Sequence, residues 1–281
     1  MFNEFFRRLP LYFFIVFFTS SVFAVDFGII SAVQSESMPI QQTLINTATK
    51  TINGVTYLQG TLGGKSVVVV VSGIGNTDVT VAATRLISDF NPAHILFSGS
   101  AGKIDAKLNI GDVILGQESF SLDYGNQSSL KPSIEVIEKN PIRKSQEPLV
   151  FPGDKKLLRL IAELNASSQL LKSHDADGKT FNAKVISGKI ASSDSLPLVI
   201  DQFKRLKNFS VRGIEMEGAG LMKVCWMFNK PCLLVRGISN TADPDVYSSI
   251  VNKNESWNKE NERLGEINAA RTTIEIIKFS S

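Results

Sequence analysis

The alternation of hydrophobic and polar positions along the chain predicts strands and helices in turn. Apolar runs over 25–33 and 67–71, each bounded by turn-forming residues, are typical of buried strands. The segment 55–62 alternates and ends in two glycines, which predicts a hairpin partner for the second run. Apolar residues at helical spacing over 78–90 predict a helix that ends before Pro92.

The same kind of pattern continues to the C-terminus. Further strands are predicted near 93–98, 183–190, 209–214 and 231–237, and further helices near 155–164, 196–206, 219–228 and 260–279. The polar stretch 126–152 is predicted to be a long surface loop. Strands that alternate with helices indicate an α/β fold with a mostly parallel or mixed sheet covered on both faces.

The first 24 residues differ from the rest, since they carry 8 of the 18 phenylalanines. Arg7 and Arg8 precede an apolar run over 9–18, and small residues lead to Ala24, a pattern typical of a secretory signal peptide. The run is shorter than the roughly 20 residues that cross a bilayer, which disfavours the alternative of an uncleaved anchor. We therefore expect a signal peptide over 1–24, one domain over 25–281, no stable membrane insertion after cleavage, and a periplasmic or secreted bacterial protein.

Composition narrows the class of protein further. With 43% hydrophobic residues and two cysteines, the chain is neither disordered nor a disulfide scaffold, and its formal net charge of +3 suggests no nucleic-acid partner. His94 and His174 are the only histidines, so no histidine-rich metal site is expected. Cys225 falls in an apolar helical stretch and Cys232 opens a strand, so two buried free thiols are expected, although export would permit a bridge.

Three glycine-containing turns join predicted strands to helices, over 72–76, 98–102 and 213–218. In doubly wound sheets ligands bind outside the carboxyl ends of the strands, where such turns lie. None of the turns matches a dinucleotide fingerprint or a phosphate-binding P-loop, so a nucleotide cofactor has no support.

Three charged residues follow the ends of apolar strands: Glu36, Glu217 and Arg236. Because the carboxyl ends of parallel strands share one edge of a sheet, these side chains could converge on one pocket. For Glu215 and Glu217 the alternative is a weak interaction with a helix dipole, worth about 0.3 to 1 kcal/mol each.

Six motifs in order resemble the purine nucleoside phosphorylase and uridine phosphorylase superfamily, and within it the methylthioadenosine/S-adenosylhomocysteine nucleosidases. They are FGIISAVQSE (27–36), SGIG (72–75), SGSAG (98–102), IGDVILG (110–116), GIEMEGAG (213–220) and VRGISNTAD (235–243). The resemblance implies a single α/β domain with a central mixed sheet, partly closed into a barrel and flanked by helices. It also implies a homodimer that binds a purine nucleoside and needs no cofactor or metal.

The resemblance further implies roles for individual residues in cleaving an N-ribosidic bond. Glu36 matches the general base that activates water, and Glu217 matches the residue that holds the ribose 2′-hydroxyl. The implied catalytic residues are Glu36, Asn240 and Glu217. The implied substrate-binding residues are Ser100, Gly102, Leu196, Pro197, Glu215, Met216, Arg236 and Ser239, of which Ser100 and Arg236 help to orient the water.

The chain departs from the family pattern around the base. Asn240 stands where the nucleosidases carry an aspartate, and an amide can donate a hydrogen bond to purine N7 but cannot transfer a proton. Leu196 replaces an aromatic residue, and Pro197 has no N–H to offer to the base. Two hypotheses follow: a pocket changed toward 6-oxopurines, or an exported nucleoside-binding protein with weak catalysis. Asp243 is a further candidate for the missing proton donor.

A phosphorolytic enzyme is the other alternative. A phosphate is best bound by bidentate arginine side chains. Phe97 stands where phosphorylases of the bacterial hexameric type have an arginine, and the first strand leads to Glu36 rather than to another arginine. Water is therefore the expected nucleophile.

Overall fold

Strands and helices alternate in the part of the chain that the computed structural model describes, residues 25–124, 139–167, 169–175, 178–251 and 255–280. The strands are β1 (Phe27–Ser31), β2 (Ile45–Ile52), β3 (Val55–Leu62), β4 (Lys65–Val71), β5 (His94–Lys103), β6 (Val113–Ser121), β7 (Phe151–Pro152), β8 (Ser173–His174), β9 (Thr180–Phe181), β10 (Val185–Ser192), β11 (Val211–Glu215) and β12 (Cys232–Thr241). The helices are α1 (Gln34–Gln41), α2 (Asn76–Phe90), α3 (Lys155–Leu158), α4 (Ile161–Ala166), α5 (Ile200–Asn208), α6 (Gly218–Phe228), α7 (Pro244–Val251) and α8 (Glu255–Phe279).

The main sheet is mixed and closes partly on itself. Its strand order is β11-β10-β6-β12-β5-β1-β4-β3-β2, and β11 also pairs with β5, so that β5, β12, β6, β10 and β11 form a closed ring. The β11–β5 and β12–β6 pairs are antiparallel, whereas β1 runs parallel to both of its neighbours. The expected mixed, partly barrel-closed sheet with flanking helices is confirmed.

The valine run in β4 packs against helices on both faces of the sheet. Side chains of a strand alternate between faces. Val68 and Val70 belong to one buried cluster with residues of α2 and α6, and Val67 and Val69 to another with residues of α8. Helices therefore cover both faces, as a continuous apolar strand requires.

Several boundaries differ from the pattern-based predictions. Helix α1 was not predicted, because it is polar and contains Pro39, yet it carries Glu36. The helix predicted over 155–164 is split into α3 and α4, and that over 196–206 begins only at Ile200. Within the loop predicted over 126–152, residues 126–138 lie outside the described ranges, and Phe151 pairs with β6.

The two cysteines form a disulfide, so the expectation of free thiols was wrong. Cys225 lies in α6 and Cys232 begins β12, and Asn229 between them ends the helix at a φ of 55°. This turn brings their Cα atoms to 6.2 Å, inside the range that a disulfide spans.

The predicted signal peptide over 1–24 lies outside the described residues. In the ranges that the structure covers, no helix has the length and apolar character needed to cross a membrane.

Candidate active site

A cavity of about 300 Å³ opens at the carboxyl ends of β1, β5, β11 and β12. It contains the predicted site residues except Arg236, which lies buried just beneath it. The predicted residues that line it are Glu36, Ser100, Gly102, Leu196, Pro197, Glu215, Met216, Glu217, Ser239 and Asn240. The tertiary structure thus brings together side chains from distant segments of the chain.

Glu36 is fixed at the start of α1, where it is only 4% exposed. Its Oε2 accepts hydrogen bonds from the amides of Ala32 (2.9 Å) and Val33 (3.4 Å), and its Oε1 accepts from the amide (2.9 Å) and hydroxyl (3.3 Å) of Ser100. Burial raises the pKa of Glu36, although the charge of Arg236 and the amide hydrogen bonds partly offset this. The site therefore holds a rigid carboxylate of increased basicity.

Gly99 allows this close arrangement. A Cβ at this position would lie 2.5 Å from Nη1 of Arg236 and 2.6 Å from Oε1 of Glu36. Both side chains are buried, so neither can move aside into solvent. Residues 98–102 lie within β5 rather than in the predicted turn, because the strand continues to Lys103. Gly99 is thus required by space within this strand.

Arg236 is the buried cation of the site, at 1% exposure. Its Nη2 bonds to Oε2 of Glu215 and, over 3.2 Å, to Oε2 of Glu217, while Nη1 donates to the Ser100 carbonyl over 3.4 Å. Its Cζ lies 3.9 Å from the ring centre of Phe97. The guanidinium is therefore enclosed by protein groups and offsets the negative charge of the site.

Glu215 is occupied entirely by structural partners. Its carboxylate accepts from the Ser192 hydroxyl, from Arg236, and from the amides of Glu217 (3.1 Å) and Gly218 (3.0 and 2.8 Å). These amides form the start of α6, so the helix-terminus interpretation describes Glu215 well.

Glu217 has a different environment, although it is only two residues away. Its Oε1 accepts from the Gly75 amide over 2.9 Å and its Oε2 from Arg236. Burial raises the pKa of Glu217, the charge of Arg236 opposes this, and the charge of Glu215 adds to it. Together with Met216, Glu217 lines the cavity.

Asn240 lies at the end of β12, after a register shift that begins at Ile238. Such a shift re-aims the side chains of a strand. Asn240 pairs with Gly102, where an added Cβ would lie 2.9 Å from Oδ1 of Asn240. Leu198 and Ala242 pack in one hydrophobic cluster, which places the loop containing Leu196 and Pro197 beside this strand end.

The sequence motifs did not identify a second group of cavity residues. These lie beyond the last motif and are Tyr247, Glu262 and Glu266. Glu266 is 7% exposed, accepts from the Ser35 hydroxyl over 2.9 Å, and has its pKa raised by burial to about 7. Two charged residues four positions apart on a helix, such as Glu262 and Glu266, ordinarily indicate a solvent-exposed face. The sequence therefore gave no signal that these two glutamates line the cavity.

No group of three or more potential metal ligands occurs in the described residues. The chemistry available at the cavity is that of a fixed carboxylate base, a second carboxylate able to bind hydroxyls, and an exposed amide.

Comparison with known proteins shows the family of this chain. A model of the phosphorylase superfamily matches residues 26–278. The 5′-methylthioadenosine/S-adenosylhomocysteine nucleosidase of Psychromonas ingrahamii is 30% identical over 225 residues, which are 76% of this chain and 85% of the relative. The Staphylococcus aureus nucleosidase is 27% identical over 233 residues, or 79% and 89%.

Solved structures show the same fold. The Neisseria meningitidis nucleosidase in complex with methylthio-immucillin-A has a TM-score of 0.73 at 23% identity, covering 90% of this chain and 98% of that one. Helicobacter pylori futalosine hydrolase has a TM-score of 0.72 at 21% identity, covering 90% and 97%. The chain belongs to the phosphorylase superfamily, in the branch of the methylthioadenosine/S-adenosylhomocysteine nucleosidases, which are hydrolases of N-glycosyl bonds.

Proposed function

We propose that this protein hydrolyses the N-glycosidic bond of a purine nucleoside, with Glu36 as the base that activates water. The observation that carries the proposal is the buried Glu36 carboxylate, held by the amides of Ala32 and Ser100 at the wall of the cavity. The relatives named as nucleosidases support the reaction class.

In the proposed reaction, water bonds to C1′ as the bond from C1′ to the base breaks. Its proton goes to Glu36, whose raised pKa suits a general base. The bonding electrons leave with the purine. Glu217 accepts a hydrogen bond from the ribose 2′-hydroxyl as positive charge develops on the sugar, and the charge of Arg236 opposes the rise that burial causes in the pKa of Glu36 and of Glu217.

Charge around the cavity supports water over phosphate as the nucleophile. A phosphate dianion would meet the carboxylates of Glu36, Glu217, Glu262 and Glu266 along the cavity wall. The guanidinium of Arg236 is engaged by Glu215 and Glu217. Bidentate phosphate binding would require it to leave these partners.

Asn240 supports a pocket for 6-oxopurines. Its amide can donate to N7 of the leaving base, but it has no proton to transfer. A departing 6-oxopurine spreads its negative charge onto O6 and needs this proton less than adenine does. Asn240 lines the cavity, and the absence of a side chain at Gly102 leaves room for its amide.

A nucleoside-binding protein with weak catalysis is the second candidate, and it rests on the same asparagine. Purified protein would be tested for base release from inosine, adenosine, methylthioadenosine and S-adenosylhomocysteine. Release from inosine would support the proposal. A ligand-induced rise in melting temperature without any release would support binding alone and contradict the enzymatic proposal.

The variant Asn240→Asp tests the role of the amide directly. It restores a group that can carry a proton, so methylthioadenosine hydrolysis should rise by at least about tenfold. Asp243→Asn is the matched control, since it changes the neighbouring carboxylate. A fall in activity only in the control would assign proton transfer to Asp243 instead.

We also propose that residues 1–24 direct export and that the mature protein acts as a homodimer. The Cys225–Cys232 disulfide supports an oxidising compartment. Intact mass of protein from the periplasm should correspond to a chain that begins at Val25, and light scattering should give twice its mass. A cytoplasmic, uncleaved or monomeric product would contradict these proposals.

A further inference from the structure

One wall of the cavity is acidic and is built by α8. Glu262 and Glu266 are four residues apart, so they lie on one face of the helix, and both line the cavity. Like charges at this spacing destabilise a helix. Glu266 also lies near Glu36, and the charges of Glu36 and Glu262 both raise its pKa further. The fold therefore keeps an unfavourable carboxylate pair at a wall of its pocket.

Glu266 is the better fixed of the two. It is 7% exposed, and its Oε1 accepts from the Ser35 hydroxyl over 2.9 Å. A carboxylate has about four acceptor positions, so this single bond leaves acceptor capacity toward the cavity. Glu262 is exposed, and the nearby charge of Arg263 partly compensates Glu266.

The proposed position of the nucleoside indicates which of its groups meets this wall. The base lies near Asn240 and Pro197, and the ribose 2′-hydroxyl lies at Glu217. The ring oxygen of the ribose joins C1′ to C4′, and C5′ is attached to C4′. The 5′ group therefore lies on the side of the ring away from the 2′-hydroxyl. The cavity wall that remains includes Val33, Ile74, Tyr247 and the acidic face of α8. Within it, Glu266 is the buried side chain with free acceptor positions.

We propose that Glu266 accepts a hydrogen bond from the 5′-hydroxyl of an unmodified nucleoside and thereby disfavours nucleosides with a 5′-thioether. This inference rests on the proposed function. A thioether sulfur donates no hydrogen bond, so the carboxylate would keep only its bond from Ser35 and its remaining acceptor positions would be desolvated without a donor. Sites that hydrogen-bond a substrate hydroxyl discriminate strongly against analogues that lack it. The pKa of about 7 for Glu266 also permits a neutral carboxyl group that both donates and accepts.

The test compares kcat/KM for inosine and 5′-methylthioinosine in the wild type and in Glu266→Leu. In the wild type, kcat/KM should be higher for inosine than for 5′-methylthioinosine. In the variant, the ratio of the two values should fall at least about tenfold, because kcat/KM falls for inosine and rises for the thioether. Glu260→Leu is the matched control, because Glu260 is exposed on α8 and does not line the cavity. It should leave the ratio unchanged.

Three outcomes separate this inference from the proposed function. An unchanged ratio in folded Glu266→Leu, or a wild type that prefers the thioether, would overturn the inference and leave the hydrolase proposal standing. If no nucleoside releases its base, calorimetric binding of the same two nucleosides replaces the rates. Loss of the inosine preference in binding would still support the role of Glu266, and absence of binding to either nucleoside would overturn both proposals.

Discussion

Cζ of Arg236 lies 3.9 Å from the centre of the Phe97 ring, so an aromatic face covers one side of the guanidinium. At the edge of the guanidinium, Nη2 donates hydrogen bonds to Glu215 and Glu217. The two carboxylates neutralise the cation and occupy Nη2, a nitrogen that bidentate binding of a phosphate would also need. These carboxylate partners of Arg236 are the structural reason to expect water as the nucleophile.

Phosphate should therefore leave the reaction unchanged. Base release with and without inorganic phosphate should proceed at rates equal within about twofold, and the sugar product should be free ribose. Mass analysis of the sugar distinguishes ribose from ribose 1-phosphate. Formation of the phosphate ester would mean that Arg236 exchanges its carboxylate partners during turnover.

Removal of the Glu36 carboxylate should abolish most activity. Glu36→Gln should lower kcat by about 10²- to 10⁴-fold, because an amide cannot take the proton of water. Ser100→Ala keeps the backbone amide that holds Glu36 over 2.9 Å and removes only the hydroxyl at 3.3 Å, so its effect should be much smaller. An equal fall in kcat in Glu36→Gln and Ser100→Ala would contradict a special role of the Glu36 carboxylate.

The rate should rise with pH through the raised pKa of Glu36. The base acts in its ionised form, and burial moves its pKa above the ordinary value of 4.5. The acid limb of a plot of kcat/KM against pH should accordingly lie at higher pH than for an exposed glutamate. A profile that is already flat from pH about 4.5 upward would show that Glu36 is not the base.

The free energy of unfolding should fall as pH rises, whereas the reaction rate should increase. Glu266 titrates near 7 in the folded protein and near 4.5 when unfolded, so the folded state binds more protons between these values. The free energy of unfolding therefore falls as pH rises through this window. Glu266→Gln should weaken this dependence in melting curves at a series of pH values, and an identical slope in the variant would contradict the raised pKa.

Gly99→Ala should damage both the site and the fold. The added Cβ would lie 2.5 Å from Arg236 and 2.6 Å from Glu36, so the cost should be about 1–3 kcal/mol and activity should fall with it. Gly64→Ala is a useful control, since it meets open space at a φ of 80° and lies away from the cavity. Stability should fall in both variants, and activity per folded molecule only in the first. Full activity in Gly99→Ala would mean that Glu36 tolerates displacement.

Reduction of the Cys225–Cys232 bridge should lower stability by about 2 kcal/mol, because the bridge restricts a short loop of the unfolded chain. Melting with and without dithiothreitol measures this effect. The double variant Cys225→Ala/Cys232→Ala should not respond to the reductant. A wild type that is equally insensitive would show that the bridge contributes no stability.

Local patterns identified most of the secondary structure and part of the site. The valine run that forms β4 and the helical spacing in α2 are properties of consecutive residues, so periodicity alone predicts them. The motifs around Glu36 and Glu217 likewise indicated the carboxylates that line the cavity. The strands and helices depend on the hydrophobic pattern of consecutive residues, and the carboxylates were identified from short motifs of neighbouring residues.

Only the tertiary structure decided the features that join distant segments. The bond from Ser35 to Glu266 spans 231 positions, and the antiparallel pairing of β11 with β5 closes the ring of strands. Glu266 is an ordinary helical glutamate in its sequence context, and only its burial beside α1 makes it part of the pocket. The sequence by itself thus determined the elements and several residues at their ends, whereas burial and long-range packing decided which of their side chains share one low-dielectric cavity.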